Sequence, residues 1–266
     1  MKQSRVEISA NVQLSKSIFR MELVAPEAAA AARPGQFLMV QASDDGYDPL
    51  LRRPFSIHNV TSSGEVHIAY KVIGRGTELM SRMAAGGTID IVGPQGNGFT
   101  VNGKHHFIVG GGMGIAPMQF LTKKIVKEAG KPKVHILLGA RDKAELEAFN
   151  EYYNPISGVD VRLATDDGSF AHHGLVTDLL REAGGEFGAG QHMVYCCGPH
   201  PMMKAVATLS RELGWGCQVS LETMMACGIA ACLGCTVEST KLNSKGGAYL
   251  HVCQDGPVFN EGDIKW

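Results

Sequence analysis

The sequence predicts a β-barrel joined to an α/β unit on a parallel sheet, with a short cysteine-bearing appendage at the end. Three observations carry this expectation. Up to about residue 101, apolar residues recur with a period of two in short runs. Beyond that point, apolar runs alternate with helix-periodic stretches. From residue 223 onward, cysteines and small residues replace both patterns. A length of 266 residues suits about two domains with an appendage, which places the expected boundaries at 1–101, 102–222 and 223–266.

In the first part, strands are expected at 5–14, 18–24, 36–41, 54–60, 66–72 and 88–92, separated by Gly, Pro, Asp and Ser clusters. With one brief helix at 77–84 and a single helical turn in the alanine run 28–32, six short strands fit a small antiparallel barrel. In the second part, strands are expected at 107–109, 134–138, 159–164 and 192–196. Helices are expected at 115–129, 143–150, 175–181 and 201–213, and the alternation implies a parallel sheet with crossover helices. The last 44 residues are too few for a core of their own.

Composition narrows the function classes. Lys and Arg number 25 against 26 Asp and Glu, a net charge of −1, so nothing favours nucleic acid or an anionic membrane as partner. Glycine, at 33 of 266 residues, is about 12% against an average near 7%, which points to tight turns and close backbone approaches. Seven cysteines are too sparse, and odd in number, for a secreted disulfide scaffold. No signal peptide or bilayer-length apolar run is visible, so a cytoplasmic location is expected.

Cys227, Cys232, Cys235 and Cys253 stand as C-x4-C-x2-C-x17-C, the spacing of plant-type [2Fe–2S] ligation. Three thiolates must converge from one loop while backbone N–H groups point at the sulfurs. Gly228, Ile229, Ala230, Ala231, Leu233 and Gly234 are mostly small enough to allow that wrapping. A zinc site, usually two C-x2-C pairs, fits the x4 gap poorly; buried thiols acting as small hydrophobes are the remaining alternative. Cys196 is expected to pack in a strand, and Cys217 carries no functional argument.

Three loops follow strands on one expected edge of the sheet. Gly110–Pro117, containing Gly111, Gly112 and Gly114, opens a helix. Thr165–Ser169 contains Asp167, and Cys197-Gly198-Pro199 follows a later strand. A helix N-terminus offers free N–H groups, and glycines let a pyrophosphate approach, so the three together point to a nucleotide. A tight structural turn is the bland alternative for any one of them. In the barrel half, Arg53-Pro54-Phe55-Ser56 offers a guanidinium, a ring and a hydroxyl, and Gly76-Thr77 begins a short helix after Tyr70-Lys71-Val72. Taken singly, these read as a solvated strand with core aromatics.

In order, these pieces resemble the ferredoxin reductase-like flavoproteins. More closely, the order Arg53–Ser56, Gly76-Thr77, Gly93-Pro-Gln-Gly-Asn-Gly-Phe99, Gly110–Pro117, Cys197–Pro199 and the four-cysteine tail is similar to the iron–sulfur electron-transfer subunits of class B dihydroorotate dehydrogenase. One departure is Phe55, where the wider superfamily has tyrosine; ring stacking survives the change and the phenolic hydrogen bond does not.

The resemblance implies a six-stranded FAD-binding barrel, an NAD-binding domain and a [2Fe–2S] appendage. It puts Arg53 at the FAD pyrophosphate with Gly76 and Thr77, Ser56 at the flavin ring, and Tyr70, Lys71 and Val72 along the ribityl and isoalloxazine region. Glu222 would lie near flavin or nicotinamide. No side chain need act as general base, because hydride and electron transfer are the cofactors' chemistry. The implied partner is an FMN-containing catalytic subunit that oxidises dihydroorotate, in a heterotetramer of two of each. Rival readings are a reductase component of an oxygenase, a subunit of another NAD(P)H-linked ferredoxin or sulfide oxidoreductase, and a nucleotide-binding module with a zinc-stapled tail.

Overall fold

The computed structural model describes residues 2–43, 48–127, 133–150, 159–242 and 246–266; the last two residues of the helix expected at 115–129 lie outside this set. Six strands close the barrel: β1 (Gln3–Gln13), β2 (Ile18–Val24), β3 (Phe37–Gln41), β4 (Arg53–Val60), β5 (Glu65–Lys71) and β6 (Thr88–Gln95). Their order around it is β1-β2-β5-β4-β3-β6, antiparallel throughout, and closure leaves no free edge. The period-two pattern explains the interior. On β3, Leu38 and Val40 join the barrel core, while Phe37 and Met39 point the other way into a core shared with the α/β unit. Barrel and sheet are therefore packed on one another through a strand apolar on both faces.

The second sheet is built from β7 (His105–Gly111), β8 (Lys133–Ala140), β9 (Val159–Thr165), β10 (His172–His173), β11 (His192–Cys197), β12 (Gly216–Ser220) and β15 (Val258–Asn260). Its strand order is β10-β9-β8-β7-β11-β12-β15. All neighbours are parallel except β12 and β15. Helix Ile115–Val126 covers one face, and helices Val176–Phe187 and His200–Glu212 cover the other. The chain steps from β7 outward to β10, then returns to β11 on the other side of β7. The order reverses between β7 and β11, where α/β sheets hold ligands beyond the strand ends.

Several elements differ from expectation. The helix expected at 175–181 runs to Phe187 through Gly184 and Gly185, because Gly184 packs against Leu213, where a Cβ would come within 2.5 Å of Cδ2. Strand β12 escapes sequence patterning because its buried Gln218 looks polar; it is satisfied by Thr100, whose N–H and carbonyl it bonds at 3.0 and 2.8 Å. The tail, besides its hairpin β13 (Thr236–Glu238) and β14 (Tyr249–His251), adds β15 to the main sheet, and so shares that sheet's core. Cys196 and Cys217 are buried core residues. No helix among the described residues is long and apolar enough to cross a membrane.

Candidate functional site

The four cysteines converge. Their loop folds into successive backbone turns with positive φ at Gly228 (69°), Ala230 (56°) and Leu233 (59°), and these turns aim N–H groups inward. Ile229 and Cys232 donate to Cys227 Sγ at 3.4 Å, Ala230 to Cys253 Sγ at 3.1 Å, Gly234 to Cys232 Sγ and Cys253 to Cys235 Sγ at 3.4 Å. Every one of the four sulfurs thus accepts at least one backbone N–H. Burial pushes the Cys227 thiol up, but the N–H donors from Ile229 and Cys232 outweigh it and bring it down to about 7. Burial and the neighbouring Cys235 push Cys253 up to about 11. Thiolate acceptors ringed by backbone donors fit an anionic iron–sulfur cluster, whose sulfurs such donors stabilise. Cys235 and Cys253 are buried, Cys227 is half-buried and Cys232 is exposed.

This nest abuts the barrel. A Cβ on Gly228 would stand 2.5 Å from Met39 Cγ on β3. Met39 pairs with Pro54 of β4, so the cysteine loop sits one strand away from Arg53–Ser56, about 5 Å of sheet spacing.

On the barrel, two stretches far apart in sequence meet. Gly76 opens helix Arg75–Ser81 beneath the Arg53 side chain, and a Cβ there would come within 2.6 Å of Nε. Glycine is required for the guanidinium to lie over that first turn. Arg53 also donates to the Leu51 carbonyl. The Thr77 hydroxyl accepts from Ile73 N–H at 3.0 Å and donates to the Gly74 carbonyl at 3.0 Å, so it shapes the turn. A half-buried guanidinium over a glycine cradle suits a pyrophosphate.

Phe55 is half-buried and meets Tyr70 edge-on at 5.8 Å. Tyr70 is 1% exposed, stacks with Phe19 and donates to Asn11 Oδ1 at 3.0 Å; burial pushes its hydroxyl up to about 12. Its ring is thus barrel core. Val72 packs on the same core, and Ser56 is half-buried opposite Phe37. Lys71 reaches across to Glu145 Oε1 at 3.0 Å, bridging the barrel to helix Lys143–Glu147.

At the sheet's reversal point, two of the three expected loops touch. Gly110 and Gly111 end β7, a 3-10 turn spans Gly112–Gly114, and a Cβ on Gly114 would overlap the Cys197 backbone. Gly112 has φ 53° and open space where its side chain would be. Burial raises the Cys197 thiol, with the Glu222 charge adding to it. Gly198 is buried, and Pro199 leads into helix His200–Glu212. The third loop lies two strands away, on the same edge. Thr165 is buried, and its hydroxyl bonds both N–H and carbonyl of Phe170, while Asp167 accepts from Ser169 N–H at 2.9 Å; the Ser169 hydroxyl, with that N–H, holds its carboxyl below the usual range. Both side chains fix the loop's shape.

Glu222 lines a cleft of about 540 Å³ with His200, Thr223, Val237, Lys265 and Trp266. Although Glu222 is exposed overall, protein atoms crowded around it raise its carboxyl. His200 and Trp266, 5.4 Å apart, are site neighbours that sequence reasoning missed, because only the folded tail brings the C-terminus back to the Cys197 loop. A different ligand-like group, Glu22, Glu65 and His67 on the barrel, is engaged by Arg20, Ser9 and Ser63 and is a charge network.

Comparison with known proteins agrees with this geometry. Residues 3–99 match an oxidoreductase FAD-binding domain, 108–208 an oxidoreductase NAD-binding domain, and 222–265 the iron–sulfur cluster binding domain of dihydroorotate dehydrogenase B. The chain is 41% identical over 227 residues to the dihydroorotate dehydrogenase B (NAD(+)) electron transfer subunit of Caldanaerobacter subterraneus subsp. tengcongensis, covering 85% of this chain and 84% of that one. It is 36% identical to the corresponding Bacillus velezensis subunit, covering 99% of both. Among solved structures, a chain of the NADH-dependent reduced ferredoxin-NADP oxidoreductase, studied for flavin-based electron bifurcation, superposes with TM-score 0.83 at 30% identity, over 98% of this chain and 90% of that one. The ferredoxin reductase of carbazole 1,9a-dioxygenase shares the fold, with TM-score 0.67 at 20% identity over 80% of this chain and 66% of that one.

Proposed function

Because the chain belongs to the family of dihydroorotate dehydrogenase B (NAD(+)) electron transfer subunits, we propose that it carries electrons from dihydroorotate, oxidised on a separate FMN-bearing subunit, to NAD+. It is an oxidoreductase subunit with FAD-binding, NAD-binding and iron–sulfur-binding domains, and the proposed boundaries are 1–101, 102–222 and 223–266. The observation that carries the reading is the contact of Gly228 with Met39, which sets the cysteine nest beside the strand bearing Arg53–Ser56.

In this reading Cys227, Cys232, Cys235 and Cys253 hold a [2Fe–2S] cluster, with the backbone donors of residues 229–234 stabilising its charge. Arg53 and the first turn at Gly76 and Thr77 hold the FAD pyrophosphate. Pro54, Phe55 and Ser56 flank the flavin, and Lys71 and Val72 border it, with Tyr70 bracing the strand from inside. Gly111, Gly112, Gly114, Cys197, Gly198 and Pro199 admit the nicotinamide nucleotide at the reversal point; Thr165 and Asp167 shape the neighbouring loop, and Glu222 borders the approach. Bound FAD supplies the exchange between a two-electron nicotinamide and a one-electron cluster.

The name of the family implies a catalytic partner. A heterotetramer of two such chains with two catalytic subunits, in the cytoplasm, completes the proposal. Exposed Met224, Ile229 and Leu233 around the nest support a covering partner there. Dihydroorotate oxidation needs a positioned base, and in this reading the catalytic partner supplies it, since no residue above is assigned that role. The isolated chain should pass electrons from NADH to artificial acceptors and show no dihydroorotate turnover. Turnover by the purified chain without a second polypeptide would overturn the reading.

The ferredoxin-NADP oxidoreductase chain favours a second reading, in which the natural partner handles ferredoxin. Reconstitution with the dihydroorotate-oxidising subunit separates the two: NAD+ reduction on adding dihydroorotate supports the first, and its absence the second.

A further inference from the structure

We propose that Asn97 is a positioning residue for the iron–sulfur cluster: from the barrel it clamps the turn that follows Cys253 and so fixes the cysteine nest relative to the flavin-bearing strand. This rests on the cluster and FAD assignments above.

Asn97 belongs to the Gly93–Phe99 segment that leaves β6, outside all three cofactor sites. Its side-chain amide donates to the carbonyls of Gln254 at 3.3 Å and Asp255 at 2.9 Å, so both amide hydrogens are used. Its own N–H donates to the Gly256 carbonyl at 2.5 Å, and its backbone forms an isolated bridge with Pro257. The residue before it makes the approach possible: Gly96 has φ 76°, and a Cβ there would lie 2.5 Å from Pro257 Cδ and 2.6 Å from the Gly256 carbonyl. Four consecutive residues, 254 to 257, are therefore held by two residues of the barrel.

The clamped turn is rigid on its other side. Gln254 and Asp255 N–H groups bond the His251 carbonyl at 2.9 and 2.8 Å, and Asp255 Oδ2 accepts from His251 N–H at 2.6 Å. Cys253 lies inside this turn, with its own N–H on Cys235 Sγ. The nest thus meets the barrel at two points: Gly228 on Met39, just after its first cysteine, and the Asn97 clamp, just after its last. Core packing of Cys235, Val252 and Cys253 and the pairing of β15 hold the tail as a whole, and the clamp adds a direct tie to the barrel at the end of the nest that carries Cys253. Electron exchange between redox groups weakens steeply with separation, so the clamp bears on the cluster–flavin step and not on hydride transfer between nicotinamide and flavin.

The test uses the full-length chain loaded with FAD and cluster, as wild type, Asn97→Ala and Asn97→Gln. Asn97 is exposed, so truncation leaves no cavity. FAD and iron contents should match wild type. In Asn97→Ala, amide exchange across 254–256 should speed by about fivefold, the factor for one ordinary hydrogen bond. On anaerobic mixing with NADH, each hydride brings two electrons to the flavin, one of which passes to the oxidised cluster while the other stays on the flavin. Flavin bleaching should keep its wild-type rate while cluster reduction slows several-fold, and Asn97→Gln, which keeps both donors, should recover part of that rate. Unchanged exchange at 254–256, unchanged cluster reduction, or equal slowing of both optical phases would each overturn the proposal. A wild-type chain that holds no FAD or no iron would instead overturn the assignment beneath it.

Discussion

Arg53 and Gly76 act as one unit, because the guanidinium lies where a Cβ on residue 76 would be. Arg53→Ala should remove the charge-assisted contact proposed for the pyrophosphate, costing on the order of 1.5–3 kcal/mol, or more than tenfold in FAD affinity. Gly76→Ala should weaken FAD binding in the same direction, since the new methyl displaces the guanidinium. The double variant should lose little more than Arg53→Ala alone, because both changes disable one contact. Flavin titration of the three apo-proteins checks this, and fully additive losses would show that the two residues serve separate sites. Single Ser substitutions at Cys227, Cys232, Cys235 and Cys253 should weaken or abolish the iron–sulfur absorption. The same change at buried Cys196, Cys197 or Cys217, none of which is among the thiols that gather the nest's backbone donors, should leave it largely intact. Loss of the cluster in Cys217→Ser with retention in Cys253→Ser would refute the ligand set.

In the turn at Gly112–Gly114, backbone conformation decides what the element can do. Gly112 has φ 53° with open space where a side chain would stand, and Gly114 has no space at all. Gly112→Val therefore meets two penalties: a left-handed backbone that costs about 1–2 kcal/mol for an L-residue, and an isopropyl group in the nucleotide's approach. NADH-driven reduction should fall steeply while FAD content holds; loss of FAD with intact NADH binding would move the nicotinamide site elsewhere. Period and spacing made much of this element-level structure legible beforehand. Most barrel strands could be read because they alternate apolar and polar residues, β3 being the apolar exception, and the cysteine nest because thiolate spacing is dictated by cluster size. What escaped was non-local. Strand β15 exists only because the tail returns to β12, and buried Gln218 is explained only by Thr100, over a hundred residues away. Tyr70 is a further case: the family resemblance set it among the flavin residues, while its ring lies in the barrel core, as the stretch read alone implied.

At the scale of the whole molecule, the barrel and the α/β unit are joined by buried polar contacts as well as by the apolar face of β3. His58 on β4 is fully buried, and its Nδ1–H donates to the Ala116 carbonyl at 2.5 Å, at the start of the helix that follows the glycine turn. Burial forces its pKa down to about 3, against 6.5 when unfolded, only partly offset by that hydrogen bond. The folded chain thus binds fewer protons at this site than the unfolded chain. Stability is intact above pH 6.5 and is lost progressively as pH falls toward 3, by roughly 2–3 kcal/mol between pH 6.5 and 4.5. His105, also held low by burial and by neighbouring His192, pulls in the same direction. The loss should be felt first at the joint between the two units, where His58 meets Ala116, and not inside either one. His58→Asn keeps an N–H near the Nδ1 position and does not titrate, so it isolates the effect. Thermal midpoints of wild type and His58→Asn, measured at pH 7.5 and pH 5 at one scan rate, should show a smaller acid-induced drop in the variant. An equal drop in both proteins would mean that protonation of His58 does not govern how the joint responds to acid.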